Sequence, residues 1–340
     1  MDKAIRKMEE KEQKVKHANE VAKVAASNNK LKKEIEEYRT KISFLEKANE
    51  SLTNLINDEK KVKLPKLSKG KVKRGNHHYR IMIPDVHGNK MDLKAVGCML
   101  DDLDMLGVGK GDIVIQIGDL VDCGGFLAQH QTMGYVAEIG DTSYAQDIAS
   151  ANWFIDELQK ATIGADYHFL EGNHDQRIEK WCVNQSLRHK EDALELLSIM
   201  GVETRLSLGA RGIPYYKTTE KHMGLEYPGL IKIGNCYYTH GSVYPTNAAK
   251  AYADLYNVNI GFGHTHRADT WVKRSLENGS ITAFNPGTMS EKQPMWQHSK
   301  PTNWTHGYNL QVVSETGDFL NINVPIINGR SYLYPLLENR

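Results

Sequence analysis

Five short stretches of the sequence carry residues that can hold metal ions. They are Asp85-Val86-His87-Gly88-Asn89, Gly118-Asp119-Leu120-Val121-Asp122, Gly172-Asn173-His174-Asp175, His240-Gly241 and Gly263-His264-Thr265-His266. Carboxylate oxygen and imidazole nitrogen suit borderline divalent metals such as Mn, Fe, Zn or Ni. No cysteine falls within the five stretches, which argues against a thiolate zinc site. Alternating residues, as in Asp85 and His87 or His264 and His266, leave an extended chain on the same side. They can therefore serve one shared centre, or two adjacent ions if the chain turns. A metal pair about 3.5–4 Å apart clamps a phosphoryl group and lowers the pKa of bound water toward ~7, which supplies a hydroxide nucleophile at neutral pH. The leaving oxygen then needs a proton, and a histidine beside a carboxylate is a suitable donor.

The elements that must position these residues are legible around them. Each stretch follows an apolar, β-rich run: "YRIMIP", "DIVIQIG", "DYHFLEG", "LIKIGNCYYTHG" (read as one strand) and "VNIGFG". Amphipathic helical runs alternate with them, at "NKMDLKAVGCMLDDLDML", "SYAQDIASANWFIDELQKA", residues 176–200 and "TNAAKAYADLY". Strand and helix in alternation predict parallel βαβ units, and the strand-rich end from Asp269 to Val324 adds an antiparallel part. Sites in open α/β sheets form at the carboxyl ends of strands, so the five loops are expected to converge at one edge. Trp271, Trp296, Trp304, Tyr308 and Phe284 read as core, and Cys123 as an ordinary loop residue.

In chain order, D-x-H-G, G-D-x-x-D, G-N-H-D, T-H-G and G-H-T-H resemble the calcineurin-like metallophosphoesterase superfamily over residues 79–290. The resemblance implies an α/β fold, a four-layer α-β-β-α sandwich. It implies a first metal on Asp85, His87 and His266, a second on Asn173, His240 and His264, and Asp119 bridging both. It makes His174 the group that protonates the leaving oxygen or steadies the phosphoryl group, with Asp122 orienting it. The cofactors implied are two divalent ions, manganese first, with Fe, Zn or Ni as alternatives. Serine/threonine phosphatases of the superfamily carry Arg-Gly after the second Asp and Glu after Gly-Asn-His. Here Cys123-Gly124 and Asp175 stand instead, and the pattern is closer to the phosphodiesterase and repair-nuclease type. Arg177 and Arg267, just past two of the blocks, either grip phosphate or are surface charges.

The net charge of +1 conceals a split, because residues 1–75 hold 21 Lys and Arg against 12 Asp and Glu. Residues 60–80 alone carry nine Lys or Arg and no acid, as a solvated linker or a strap that touches phosphates. Before it, Leu31, Ile35, Tyr38, Ile42, Leu45, Asn49, Leu52 and Ile56 alternate steps of four and three, the seam of a coiled coil. Ile at a, Leu at d and Asn49 at one a position favour a parallel homodimer over a single helix folded back on the domain. The expected organisation is a coiled-coil helix over 1–58, a basic linker over 59–78, a metallophosphoesterase domain over 79–325 and a tail over 326–340. A phosphodiesterase or nuclease acting on DNA or RNA fits a basic arm ahead of such a domain. The other readings are a phosphomonoesterase acting on phosphoprotein or a small nucleotide, and a coiled-coil scaffold with a secondary metal site. No apolar run reaches the ~18 residues a membrane span needs. With a charged N-terminus and four scattered cysteines, the expected location is cytoplasmic.

Overall fold

The computed structural model describes residues 76–123, 143–277, 279–294 and 300–333, together with residues 32, 33, 35, 36, 39 and 43. The chain divides into two compact units, Met1–Lys66 and Leu67–Arg340. In the first, the described Lys32, Lys33, Ile35, Glu36, Arg39 and Ser43 are helical and exposed. The rest of the expected coiled coil, the linker over 59–75 and Trp296 lie outside the described residues.

The second unit is mixed α/β, with two sheets and several helices. Its order is β1 (His78–Ile83), α1 (Leu93–Leu106), β2 (Ile113–Gln116), α2 (Tyr144–Ala161), β3 (Asp166–Leu170), α3 (Gln176–Gln185), α4 (Lys190–Met200), α5 (Val202–Arg205) and β4 (Tyr215–Tyr216). Then follow β5 (Ile231–Ile233), β6 (Cys236–Thr239), α6 (Ala248–Tyr256), β7 (Ile260–Phe262), β8 (Ala268–Ser275), β9 (Gly279–Pro286), β10 (His306–Val313), β11 (Phe319–Ile327) and β12 (Arg330–Ser331). The first sheet runs β12-β11-β10-β1-β2-β3-β4, parallel from β1 to β4 and antiparallel from β1 outward to β12. The second runs β5-β6-β7-β9-β8, with β6, β7 and β9 parallel.

Local signals explain these elements. Asp92 caps α1 by accepting from the amides of Lys94 and Ala95, and Gly107 ends it at φ 67°. Ser143 and Gln146 form a capping box on α2. The run 230–241 is not one strand. It folds back at Gly234-Asn235, so that Ile233 faces Cys236 in a tight hairpin. Gly234 has φ 56°, which the two-residue turn requires, and this glycine beside asparagine is a turn signal inside the apolar run. The 325/326 boundary falls inside β11, and β12 extends the sheet to Ser331. Tyr308 and Phe284 are fully buried, whereas Trp271 is 41% exposed because β8 is the edge of its sheet.

One apolar cluster packs α1, α2 and α3 against the first sheet through residues such as Met99, Leu103, Phe154, Ile178, Ile81 and Val114. A second joins Met82, Ile115 and Leu170 of the first sheet to Ile231, Tyr238 and Phe284 of the second. A third packs Ala249 and Tyr252 of α6 on Ile260 and Phe262. Among the described residues, no helix is long and apolar enough to cross a membrane.

Asp102 ties α1 to the far end of the first sheet. The hydroxyl of Tyr308 donates to its Oδ2 at 2.8 Å, and that of Ser331 donates to the same oxygen. Burial pushes this carboxyl up to about 6, against the lowering effect of the two hydroxyls. A folded pKa above the unfolded value of 3.8 means that its contribution is complete below about 3.8 and lost as pH climbs through about 6. Asp102→Asn removes that loss. Its stability relative to wild type is expected to rise between pH 4.5 and pH 8 by up to about 2 kcal/mol. Parallel denaturation curves at the two pH values would contradict this.

Candidate metal centre

The five loops leave the carboxyl ends of β1, β2, β3, β6 and β7 and meet. Among the described residues three groups of possible ligand atoms result, each within 4.8 Å of one another: His87, Asp122 and His174, and two sets that share Asp119, namely Asp85, His87, Asp119 and His266, and Asp119, His240 and His264. In the first of these two sets, His266 Nε2 lies 3.0 Å from Asp85 Oδ2 and 3.1 Å from His87 Nε2, which is 3.7 Å from Asp119 Oδ2. In the second, His240 Nε2 lies 3.4 Å from Asp119 Oδ2. Asn173 Oδ1 joins this set, 2.9 Å from His240 Nε2 and 2.8 Å from His264 Nδ1. Asp119 belongs to both.

The backbone is bent to place these groups. Among non-glycine residues, His87, Asp119, His264 and His266 have φ of 57°, 50°, 67° and 56°. Such conformations cost of order 1–3 kcal/mol each and persist where the surroundings over-determine them. Here the amides of Val86 and His87 donate to the Asp119 carbonyl at 3.0 and 2.9 Å. The amide of His264 donates to the Asp85 carboxylate at 3.0 Å, and that of His174 to Asp119 Oδ1 at 2.8 Å. Glycine makes the closest approaches. A Cβ on Gly172 would sit 2.1 Å from the Asp119 amide nitrogen, and one on Gly118, itself at φ 107°, 2.6 Å from His240 Nδ1.

The electrostatics suit bound cations. Burial pushes Asp85 and Asp119 up, but His266 for the one, and His240 and His174 for the other, outweigh it and hold both below the usual carboxylate range. Burial also opposes ionisation of Asp122, and hydrogen bonds from His174 and His87 overcome it. Burial disfavours the charged form of His240, yet Asp119 and Asp85 raise it to about 9. His264 is lowered by burial and by His240. The carboxylates are thus ionised, with imidazole groups beside them supplying the compensating positive charge.

The residues fit metal ions by the orientation of their rings as well. His87 Nδ1 faces Asp122 Oδ1 at 3.1 Å, and His240 Nδ1 faces the Ile117 carbonyl at 3.1 Å. Each Nδ1 faces an oxygen, which leaves each Nε2 turned toward Asp119 as the atom that would meet a bound ion. His266 Nδ1 is buried without a hydrogen-bond partner. The buried Asp and His groups can hold metal ions.

Asp122 does more than the sequence implied. Its Oδ1 lies 2.9 Å from His174 Nδ1 as well as 3.1 Å from His87 Nδ1, so one carboxylate orients both rings. Arg177 turns inward. Its Nη1 donates to the Asp122 carbonyl and its Nη2 lies against His174 Nε2, both at 3.0 Å. Arg267 Nη2 donates to the Pro245 carbonyl at 2.7 Å.

Several neighbours were not singled out as site residues in the sequence. Asp175 is buried and accepts from the amides of Val121 and Gly172, which ties two ligand loops together. Burial and the nearby Asp119 raise its carboxyl to about 7. The signal for it was the carboxylate one residue past His174. The Thr288 hydroxyl and Met289 amide donate to the Asp85 carbonyl. Trp304, read as core, is half-buried with its ring 4.1 Å from that of His266, and the exposed Tyr244 lies 5.8 Å from His264. No sequence pattern marks these two rings.

No family model matches the chain, and no curated protein matches it. Among solved structures, the chain is similar to a mutant cold-active protein tyrosine phosphatase at 15% identity. That likeness covers 75% of this chain and 85% of the other, with a TM-score of 0.34. A likeness of that size does not establish a shared fold.

Proposed function

We propose that this chain is a divalent-metal-dependent phosphoester hydrolase of the calcineurin-like type. Asp85, His87, Asp119 and His266 hold one ion, and Asp119, Asn173, His240 and His264 a second. The observation that carries the proposal is the pair of ligand sets joined by the single carboxylate of Asp119. When bound, the ions supply charge for the phosphoryl oxygens and lower the pKa of water toward ~7.

The rest is work for the chain's own residues. Asp122 fixes His87 and His174 through their Nδ1 atoms. His174 stands beside both ligand sets with its ring 4.5 Å from that of His87, where it would protonate the leaving oxygen or steady the phosphoryl group. Net hydrolysis consumes one water. The water oxygen bonds to phosphorus as it loses a proton, the bond from phosphorus to the leaving oxygen breaks with its electron pair staying on that oxygen, and a proton is delivered there. The three apolar clusters support an α-β-β-α layering of the domain from β1 to β12.

The substrate we propose is a nucleic-acid phosphodiester, with manganese as the working ion. The excess of Lys and Arg in residues 1–75 suits a polyanion. The exposed ring of Tyr244 beside His264 suits a base. The heptads over Leu31–Ile56 support a parallel homodimer. The test is to incubate protein and Mn with labelled single- and double-stranded DNA and RNA and, separately, with a phosphopeptide. Cleavage of nucleic acid is expected. Cleavage of the phosphopeptide alone would transfer the activity to phosphomonoesters, and turnover of neither would leave the scaffold reading.

A further inference from the structure

Arg177 occupies a costly position. It is 6% exposed, and its two hydrogen bonds go to a carbonyl and an imidazole rather than to a carboxylate. Its Nε is buried without a partner. It lies in the first turn of α3, where the helix dipole disfavours a cation. A buried guanidinium under these three penalties calls for a local reason.

Its hydrogen bonds point to one. Arginine can only donate, so His174 Nε2, 3.0 Å from Arg177 Nη2, is the acceptor. His174 Nδ1 must then carry the ring proton, which it directs to Asp122 Oδ1 at 2.9 Å and the Asp122 carbonyl at 3.0 Å. That carbonyl also accepts from Arg177 Nη1. The three residues thus form a closed unit in which Arg177 fixes both the plane and the tautomer of the imidazole.

We propose that Arg177 is a positioning residue that acts through His174, not a group that grips the substrate phosphate. This rests on the phosphoester hydrolase reading given above. A grip would leave the guanidinium free to meet phosphate oxygens, whereas here it is held by the backbone of the G-D-x-x-D loop and spent on the imidazole.

The test uses the full chain loaded with Mn, the variants Arg177→Gln, Arg177→Lys and His174→Ala and the double variant His174→Ala/Arg177→Gln, with p-nitrophenyl and phenyl phosphodiesters as substrates. Arg177→Gln is expected to lower kcat by about 10- to 100-fold on both esters. KM is expected to stay within about twofold, and Arg177→Gln to add nothing in the His174→Ala background. Arg177→Lys keeps the charge but loses the fork, so its kcat is expected between the two.

A second readout needs no turnover. In nitrogen NMR of the metal-free protein, the His174 Nε2 signal of wild type is expected to be that of an unprotonated nitrogen, and in Arg177→Gln to move toward a mixture of tautomers. A raised KM with unchanged kcat, or an undiminished Arg177→Gln effect in the His174→Ala background, would overturn the proposal. So would an unchanged imidazole spectrum. Failure of wild type to hydrolyse any phosphoester would instead overturn the hydrolase reading, whatever the spectra show.

Discussion

Asp119→Asn is expected to abolish metal-dependent hydrolysis while leaving the fold in place. Asp119 is the one residue common to both ligand sets, so losing its charge weakens two sites together. Outer partners of metal ligands cost about 10- to 100-fold when removed, and the loss here is expected to exceed that range. The fold survives because the carboxamide oxygen of Asn can still accept the His174 amide that Asp119 Oδ1 accepts at 2.8 Å. The backbone carbonyl that binds Val86 and His87 is unchanged. Melting with and without Mn separates the effects. Wild type gains stability as the ion binds, about 2.7 kcal/mol at a hundredfold excess over Kd, and the variant loses most of that gain. Equal activity and equal metal-induced stabilisation in the two proteins would remove Asp119 from the centre.

The second large effect belongs to a residue with no side chain. Gly172→Ala would drive a Cβ to 2.1 Å from both the amide nitrogen and Oδ1 of Asp119. No rotamer relieves that contact, because the atom it meets is backbone. Either β3 and its loop move away from the G-D-x-x-D loop, or Asp119 leaves its position. The expected cost is at or above the roughly 3 kcal/mol top of the usual overpacking range, with metal binding lost as well. Gly209→Ala is the control, since a Cβ there meets nothing within 4 Å, and its effect is expected within about 0.5 kcal/mol. Chemical denaturation of both variants checks the pair. A Gly172→Ala protein as stable as Gly209→Ala, with intact metal binding, would contradict the close approach.

Both effects turn on loops that were readable in the sequence, because each follows a buried strand and opens or closes on glycine. The runs "YRIMIP" and "DIVIQIG" had to be strands, and polar ligand-type residues directly after them had to sit at strand ends. What sequence spacing does not encode is side-chain direction across loops. Asp122 was expected to serve His174, and it also reaches His87, since both rings come from other strands. Arg177 could face solvent or the site from the first turn of α3, and only the packed structure turns it inward. The hairpin at Gly234 was hidden by the apolar residues on both sides of it. Trp271 reads as core by residue type, and its exposure follows from β8 having a neighbour on one side only. The strand β4, two residues long, is too short to show any period.

The proposed function needs two divalent ions, held by one Asp/His cluster, that act on a phosphoester. The most direct measurement strips the protein with chelator, titrates it with Mn, and follows bound metal and hydrolysis of bis-p-nitrophenyl phosphate in the same samples. The expected result is no hydrolysis without metal and an activity that rises as two ions bind per chain. Hydrolysis that ignores the chelator, or two bound ions with no hydrolysis at any concentration, would contradict the account.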